Sequence, residues 1–233
     1  MSSALGTSDE VAEILRQRLA NGLQNIAFFV VPSAVGFLIL GDVIVAAIYK
    51  TGQFGKSDVT LVWSVLAGSA VGLLASTSGR LYSSAFYALR DTRTPLKFAI
   101  VRVALTIALG YLFALPLPRL LGVDRLWGVA GLTFSAGLAG WVEFSLLRRK
   151  LHQRIGEVPP QHSRTMRLWA AAIIAALIGY GVKGFLPLLH AQHYASLLAG
   201  AIVLPLYAIL YLVFCRAMGI VVPSSLQRLL RRG

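Results

Sequence analysis

The amino-acid sequence predicts an all-α protein, a polytopic membrane helix bundle of six transmembrane helices plus an N-terminal amphipathic helix. Three observations support this fold class: 57% of the 233 residues are hydrophobic, only 13% are charged, and the apolar residues fall into six long runs. A soluble domain carries about 25% charged residues. A water-soluble globular protein is therefore excluded.

Six stretches are long enough to cross a hydrocarbon core, which takes about 20 apolar residues. Each is expected to be helical, because a span in lipid must satisfy its own backbone hydrogen bonds. The predicted spans, numbered one to six, cover residues 26–49, 59–89, 98–117, 126–147, 168–189 and 194–215. Pro205 lies inside span six and is expected to kink it, because proline removes one helical hydrogen bond.

Residues 1–25 are predicted to form a cytoplasmic amphipathic helix. Val11, Ile14, Leu15, Leu19 and Leu23 recur at helical spacing and share one face. Such a helix would lie on the membrane surface. A plain helical extension of span one explains the same pattern equally well, so both interpretations remain open. The acidic start of this segment is unlike the basic beginning of a signal peptide.

The distribution of Lys and Arg predicts the topology. Fifteen of the 22 basic residues fall before span one, between spans two and three, between spans four and five, or after span six, whereas five fall in the opposite gaps. Basic loops stay inside, so both termini are expected in the cytoplasm. The net charge of +13 then reflects topology, and no nucleic-acid partner is expected.

The predicted spans and the basic residues between them divide the chain into segments. Residues 26–147 are predicted to be a four-span part of a larger lobe, and residues 168–215 two extra C-terminal spans. A basic cytoplasmic loop is expected over 148–167, and a basic cytoplasmic tail over 216–233.

No residue pattern in this chain is typical of an enzyme. Paired carboxylates within a span, a nucleophile with its base, and a glycine-rich phosphate loop are all missing from the sequence. The single cysteine, Cys215, excludes a Cys-rich metal site. We therefore expect no catalytic residues, no cofactor and no metal.

The substrate-pathway candidates are Arg80, Ser76 and Ser78, which form a polar patch within span two. An ionisable residue inside a span is a functional candidate by default. The alternative depends on depth. If Trp63 marks the outer aromatic belt, Arg80 lies near the inner boundary and simply extends its charge to the interface.

For two other charged residues within the predicted spans, Glu143 and Arg102, we expect simpler roles. Glu143 lies about one helical turn before Arg148 and Arg149, so an ion pair within one helix is predicted. Arg102 follows Lys97 by five residues, so its side chain is expected to reach the cytoplasmic face.

Small residues spaced four apart predict close helix packing in three spans. These pairs are Gly68/Gly72 in span two, Ala136/Gly140 in span four and Ser196/Gly200 in span six.

The segment between spans two and three resembles the signature loop of the MurJ/MviN family of bacterial lipid II flippases. Its matching residues are Phe86, Tyr87, Asp91, Thr92, Arg93, Thr94, Pro95 and Lys97. The segment Pro32–Gly36 and the loop at 52–54 are also similar to family sequences that precede this loop. Arg80 falls where family members often carry a lysine.

The resemblance implies a place in a larger protein. The family has fourteen spans, in two six-helix lobes with two extra C-terminal helices, and this chain would correspond to spans nine to fourteen. It would be the C-terminal part of a lipid II flippase of the bacterial inner membrane, incomplete alone. Its expected partners are a lipid-linked peptidoglycan precursor, membrane lipids and a missing N-terminal half.

Two other functions remain open at this stage. One is export of another polyprenyl-linked oligosaccharide. The other is a non-transporting membrane scaffold that binds cell-envelope enzymes through the basic loop over 148–167.

Overall fold

The computed structural model describes residues 8–49, 54–122, 124, 127–159, 162–185 and 195–220. Within these ranges the regular secondary structure is all helical, without strands. Its helices are α1 (Ser8–Ile39), α2 (Gly41–Tyr49), α3 (Lys56–Ala88), α4 (Arg93–Ala114), α5 (Pro116–Leu120), α6 (Gly128–Ile155), α7 (His162–Phe185) and α8 (Ala195–Ala217). Six segments of the described chain are long and apolar enough to cross a membrane. The predicted fold class, an all-α polytopic bundle, is confirmed.

The N-terminal segment is continuous with span one. The helix α1 runs without interruption from Ser8 to Ile39. Of the two interpretations for residues 8–25, the structure therefore has the helical extension, and the expected boundary at residue 25 does not coincide with a helix end. Leu19 is buried against the neighbouring helices, whereas Val11 and Ile14 are exposed.

Span one breaks at Leu40, where the sequence predicted a continuous helix, and α2 completes it. The indole of Trp63 lies against this break. A Cβ on Gly41 would come within 2.4 Å of the Trp63 ring, so glycine makes room for it. The Trp63 Nε1–H donates to the carbonyl oxygens of Phe37 and Leu38, each at 3.2 Å. The indole thus satisfies backbone groups where α1 ends.

A second irregularity in α1 is Pro32, which has no N–H to donate to the carbonyl of Phe28 one turn earlier. The hydroxyl of Tyr211 in α8 donates to this Phe28 oxygen at 2.7 Å. One turn earlier in α8, the Tyr207 hydroxyl donates to the carbonyl of Pro32 at 2.7 Å. Tyr211 therefore supplies the hydrogen bond that the proline removes, and the two tyrosines together fix α8 in register with α1.

Two apolar clusters form the core. The first joins α1 and α2 to α7 and α8, with Val31, Ala175 and Val203 fully buried. The second joins the first half of α1 to α3 and α6 around Tyr82 and Leu147. The two clusters therefore share α1.

Small residues allow α3 and α6 to approach closely. A Cβ on Gly72 would lie 2.4 Å from the Cα of Gly137, and one on Gly68 would lie 2.8 Å from the carbonyl oxygen of Ala130. The predicted packing role of Gly68 and Gly72 is confirmed. The residue of α6 that meets Gly72 is Gly137, whereas a Cβ on Gly140 would have no atom within 4 Å.

The basic segment predicted as a loop over 148–167 is mostly helical, which corrects that expectation. The helix α6 continues to Ile155 because Leu147, Leu151 and Ile155, four residues apart, stay buried. Gly156, with φ of 83°, ends it. The helix α7 begins six residues later, so only a short connection remains. The tail beyond residue 220 lies outside the described residues.

The basic segments lie together at one end of the bundle, which we term the basic end. Arg16 near the start of α1 donates to the carbonyl of Ile155 at the end of α6. Arg167 in α7 donates to the carbonyl of Met218 after α8 at 3.1 Å. At the other end of the bundle, Asp42 of α2 forms an ion pair with Lys183 of α7.

The tyrosine contacts give a direct test of packing. In the Tyr211→Phe variant the carbonyl of Phe28 loses its donor, and the free energy of unfolding is expected to fall by about 1 kcal/mol. The matched control is Tyr111→Phe, because Tyr111 is exposed on α4 and its hydroxyl bonds to no described residue. Equilibrium unfolding in mixed micelles measures both. Equal stability of the two variants would contradict the assigned role of Tyr211.

Candidate functional site

The signature segment forms a tight turn between α3 and α4 at the basic end. After α3 ends, Arg90 adopts a left-handed conformation with φ of 57°. The N–H of Asp91 then donates to the carbonyl of Phe86 at 2.9 Å, and the N–H of Arg90 donates to that of Tyr87 at 3.0 Å. These bonds satisfy carbonyl groups at the end of α3 and reverse the chain direction.

Asp91 caps the start of α4. Its Oδ1 accepts hydrogen bonds from the backbone N–H groups of Arg93 at 3.1 Å and Thr94 at 3.0 Å, and its Oδ2 accepts one from the Thr94 hydroxyl at 2.7 Å. The Thr94 hydroxyl and N–H hold the pKa of Asp91 below its ordinary value, and Arg154 and the Arg93 N–H act in the same direction. Asp91 is therefore a carboxylate at neutral pH, and its negative charge also suits the N-terminus of α4.

Arg154 connects this turn to α6. Its Nη2 lies 2.7 Å from Asp91 Oδ2, and its guanidinium lies 5.6 Å from the centre of the Phe86 ring. Phe86 is fully buried, and Pro95 is buried in the first turn of α4. The other signature side chains, Tyr87, Thr92, Arg93 and Lys97, are exposed. The signature segment thus joins three helices and is built around one carboxylate.

The substrate-pathway candidates do not all lie together. Ser76 and Arg80 share one face of α3, with Arg80 exposed, whereas Ser78 is buried on another face. The Ser76 hydroxyl donates to the carbonyl of Leu73 within its own helix at 3.1 Å. Arg80 makes no hydrogen bond or ion pair with any residue that the structure describes. Ser78 lines a half-open pocket with residues of α1, α6 and α7.

Arg80 belongs to a longer polar face, which we term the polar stripe of α3. Its members recur at helical spacing and are exposed or half-buried: Ser69, Ser76, Arg80, Ser83 and Tyr87. Arg80 is eight residues before the end of α3, which places its Cα about 12 Å from that end. A cation thus lies on an outward face, within a helix long enough to cross a membrane.

The two remaining intramembrane charges pair with each other, which corrects both expectations. Arg102 Nη1 of α4 lies 3.0 Å from Glu143 Oε2 of α6. The helices α4 and α6 pack side by side, so Glu143 reaches across the interface instead of along its own helix to Arg148 or Arg149. Spacing along the sequence could not reveal this pair, because its members are 41 residues apart.

The fold and this geometry define a class of protein: a polytopic helical membrane protein that carries a polar, cationic helix face within one of its spans. A family model described as lipid II flippase MurJ matches residues 1–203. The chain belongs to this family.

Individual relatives agree with the family model. A probable lipid II flippase MurJ of Rhizobium meliloti is 34% identical over 155 residues, which cover 65% of this chain and 27% of that protein. A relative of the same description from Rhizobium tropici is 29% identical over 72% of this chain and 30% of its own length. The lipid II flippase MurJ of Burkholderia cenocepacia is 29% identical over 69% of this chain and 29% of its own length.

The chain spans about 30% of the length of the curated relatives that it matches. A solved structure titled lipid II flippase MurJ, inward closed conformation, superposes with a TM-score of 0.62 at 20% identity. The superposed region covers 91% of this chain and 42% of the chain in that structure. At this identity the likeness shows the fold.

The capping carboxylate yields a prediction about stability. The Asp91→Ala variant loses the cap of α4 and the contact with Arg154, and its free energy of unfolding is expected to fall by about 1–2 kcal/mol. The Arg154→Ala variant removes the second contact alone. Because the two residues touch, the double variant should lose less than the sum of the single losses.

Equilibrium unfolding of the four proteins in detergent measures this coupling. The Arg149→Ala variant is the control, because Arg149 is exposed on the same helix away from Asp91. Strict additivity of the Asp91 and Arg154 losses would show that the ion pair does not join the turn to α6.

Proposed function

We propose that this chain is the C-terminal part of a lipid II flippase, which moves a lipid-linked peptidoglycan precursor across the membrane together with N-terminal spans. The observation that carries the proposal is the outward-facing polar stripe of α3, with Arg80 at its centre. Family membership and the fraction of the relatives' length that the chain spans are consistent with it.

The cost of exposing a charge to hydrocarbon supports a place for the polar stripe in the substrate pathway. A charged side chain facing hydrocarbon costs about 2.5 kcal/mol or more at the bilayer centre, so such residues normally face a protein partner or water. Among the described residues nothing covers Arg80. A second lobe facing α3 would enclose the stripe in a polar cavity, where a cation can attract the phosphate groups of a lipid-linked sugar.

The proposed role is transport rather than catalysis. Alternating access in transporters of this general kind needs two bundles that rock against each other around a shared site. One lobe cannot enclose such a site, so we expect this chain alone to move no substrate.

The proposed location is the bacterial inner membrane, with the basic end of the bundle and both termini in the cytoplasm. The support is the bias of basic residues, which on short loops favours the cytoplasmic side. Among the described residues, contacts such as Arg16 with Ile155 bring basic segments together at one end of the bundle, which supports a shared side of the membrane. The proposed partners are the lipid-linked precursor, the surrounding lipids and the N-terminal half.

Transport by separate halves tests the function. The chain is reconstituted into liposomes alone, or together with the N-terminal eight spans of the Rhizobium tropici relative, and lipid II movement is measured. We expect no movement with either half alone and clear movement with both. The relative's own two halves, reconstituted in the same way, are the positive control.

Movement of lipid II by this chain alone would contradict the proposal. The proposal would also be contradicted if the relative's own halves moved lipid II, while this chain associated with the relative's N-terminal spans and moved none. Movement of another polyprenyl-linked oligosaccharide in place of lipid II would support the alternative exporter.

Arg80 provides a sharper test of the pathway. In the active two-half complex, the Arg80→Ala variant is expected to lower the rate of lipid II movement by about tenfold, the effect of one lost charged hydrogen bond. The Arg80→Lys variant should largely retain the rate, because it keeps the positive charge. Arg93→Ala is the control, since Arg93 is exposed in the signature turn. Equal rates for Arg80→Ala and the unmodified chain would mean that Arg80 only extends its charge to the interface.

A further inference from the structure

The bundle contains a half-open pocket that the proposed function does not use. It has a volume of about 300 Å³ and lies between α1, α3, α6 and α7, towards the basic end. This is the lower end of the range for small-molecule sites. We term it the basic chamber. It is separate from the polar stripe, because Arg80 and Ser76 do not line it.

The lining of the basic chamber has two zones. Its inner wall is apolar and includes Leu23, Leu74 and Phe144. Its end near the basic surface is lined by Arg148 and His152 of α6 and by Arg164 of α7. No carboxylate is among the described lining residues. The chamber therefore combines a positive opening with an apolar interior.

The polar zone is already arranged for a ligand that accepts hydrogen bonds. The Nη1 of Arg164 donates to Gln24 Oε1 of α1 at 2.6 Å, which orients the guanidinium. Arg148 is exposed and forms no hydrogen bond or ion pair with the part of the chain that the structure describes. The Nε2 of His152 is buried and finds no hydrogen-bond partner among the same residues. Buried polar atoms normally have partners, so such an atom beside a chamber points to a ligand.

We propose that the basic chamber binds an anionic amphiphile, with a phosphate at the arginines and part of an acyl chain against the apolar wall. Guanidinium groups bind phosphate oxygens through paired, charge-assisted hydrogen bonds. Basic pockets between membrane helices are suited to lipid headgroups. The occupant to which the proposal commits is a glycerolipid with a net negative phosphate headgroup, such as phosphatidic acid, from the leaflet at the basic end. Binding by the isolated chain does not depend on flippase activity, so each proposal can fail without the other.

Native mass spectrometry of the detergent-purified full chain tests this site. The probe is dihexanoyl phosphatidic acid, with dihexanoyl phosphatidylcholine and inorganic phosphate titrated in parallel. We expect phosphatidic acid to bind at a concentration at least about tenfold lower than the other two, the factor given by one charged hydrogen bond. This comparison separates a lipid headgroup from a free phosphate ion.

Variants locate the bound lipid. The Arg148→Ala and Arg148→Glu variants are expected to weaken phosphatidic acid binding by about tenfold or more. Arg148 is exposed, so neither change should prevent folding. Arg149→Ala is the matched control, because Arg149 is the next residue on the same helix and does not line the chamber. Its binding should equal that of the unmodified chain.

Three results would each overturn the proposal. The first is unchanged binding in both Arg148 variants. The second is equal binding of phosphatidylcholine and phosphatidic acid, which would remove the role of net charge. The third is inorganic phosphate binding as tightly as phosphatidic acid, which would indicate a simple anion site without an acyl chain.

Discussion

This bundle depends on one constraint: backbone N–H and carbonyl groups inside a membrane cannot bond to water, so each needs a hydrogen-bond partner within the protein. In hydrocarbon, each unpaired carbonyl costs several kcal/mol, so every irregularity in a membrane helix needs a replacement partner. The helix α1 has two irregularities, and side chains from other helices satisfy both. Tyr211 donates to the carbonyl that Pro32 leaves without a partner, and Trp63 donates near the break at Leu40. Trp141 adds a similar contact, from α6 to the carbonyl of Val71.

These contacts explain how the chain is organised around α1. The helix α1 packs against α3 and α7, and α2, which continues it beyond the break, packs against α8. The signature turn adds a fixed point at the basic end, where Asp91 caps α4 and pairs with Arg154. The segment that resembles the family's signature loop therefore serves the architecture in this chain. The residues proposed to contact the substrate lie elsewhere, on the polar stripe of α3. Apart from Tyr87, none of them belongs to a distinctive sequence motif.

The sequence predicted the number of spans and the fold class well, because membrane thickness and hydropathy are local properties. It anticipated the close packing of Gly68 and Gly72 and a short turn between spans two and three, whereas the role of Arg80 in a substrate pathway stays a prediction. Prediction from the sequence failed for ion pairs that depend on how the helices pack against one another. The pair of Arg102 with Glu143 and the ion pair of Asp91 with Arg154 join residues far apart in the chain. The extension of α6 to Ile155 was missed because its basic residues suggested a loop, although Leu147 and Leu151 already showed helical spacing.

The central claim is that this chain works as one part of a two-lobed transporter. The most direct measurement is the composition of the native particle, purified from the membranes of its own cells with an antibody against residues 148–159. If the chain is one lobe of such a transporter, the particle contains either a polypeptide well above 25.1 kDa or a chain of this mass together with a second polypeptide that carries the N-terminal spans of the family. A single polypeptide of 25.1 kDa, alone in the particle, would contradict the account.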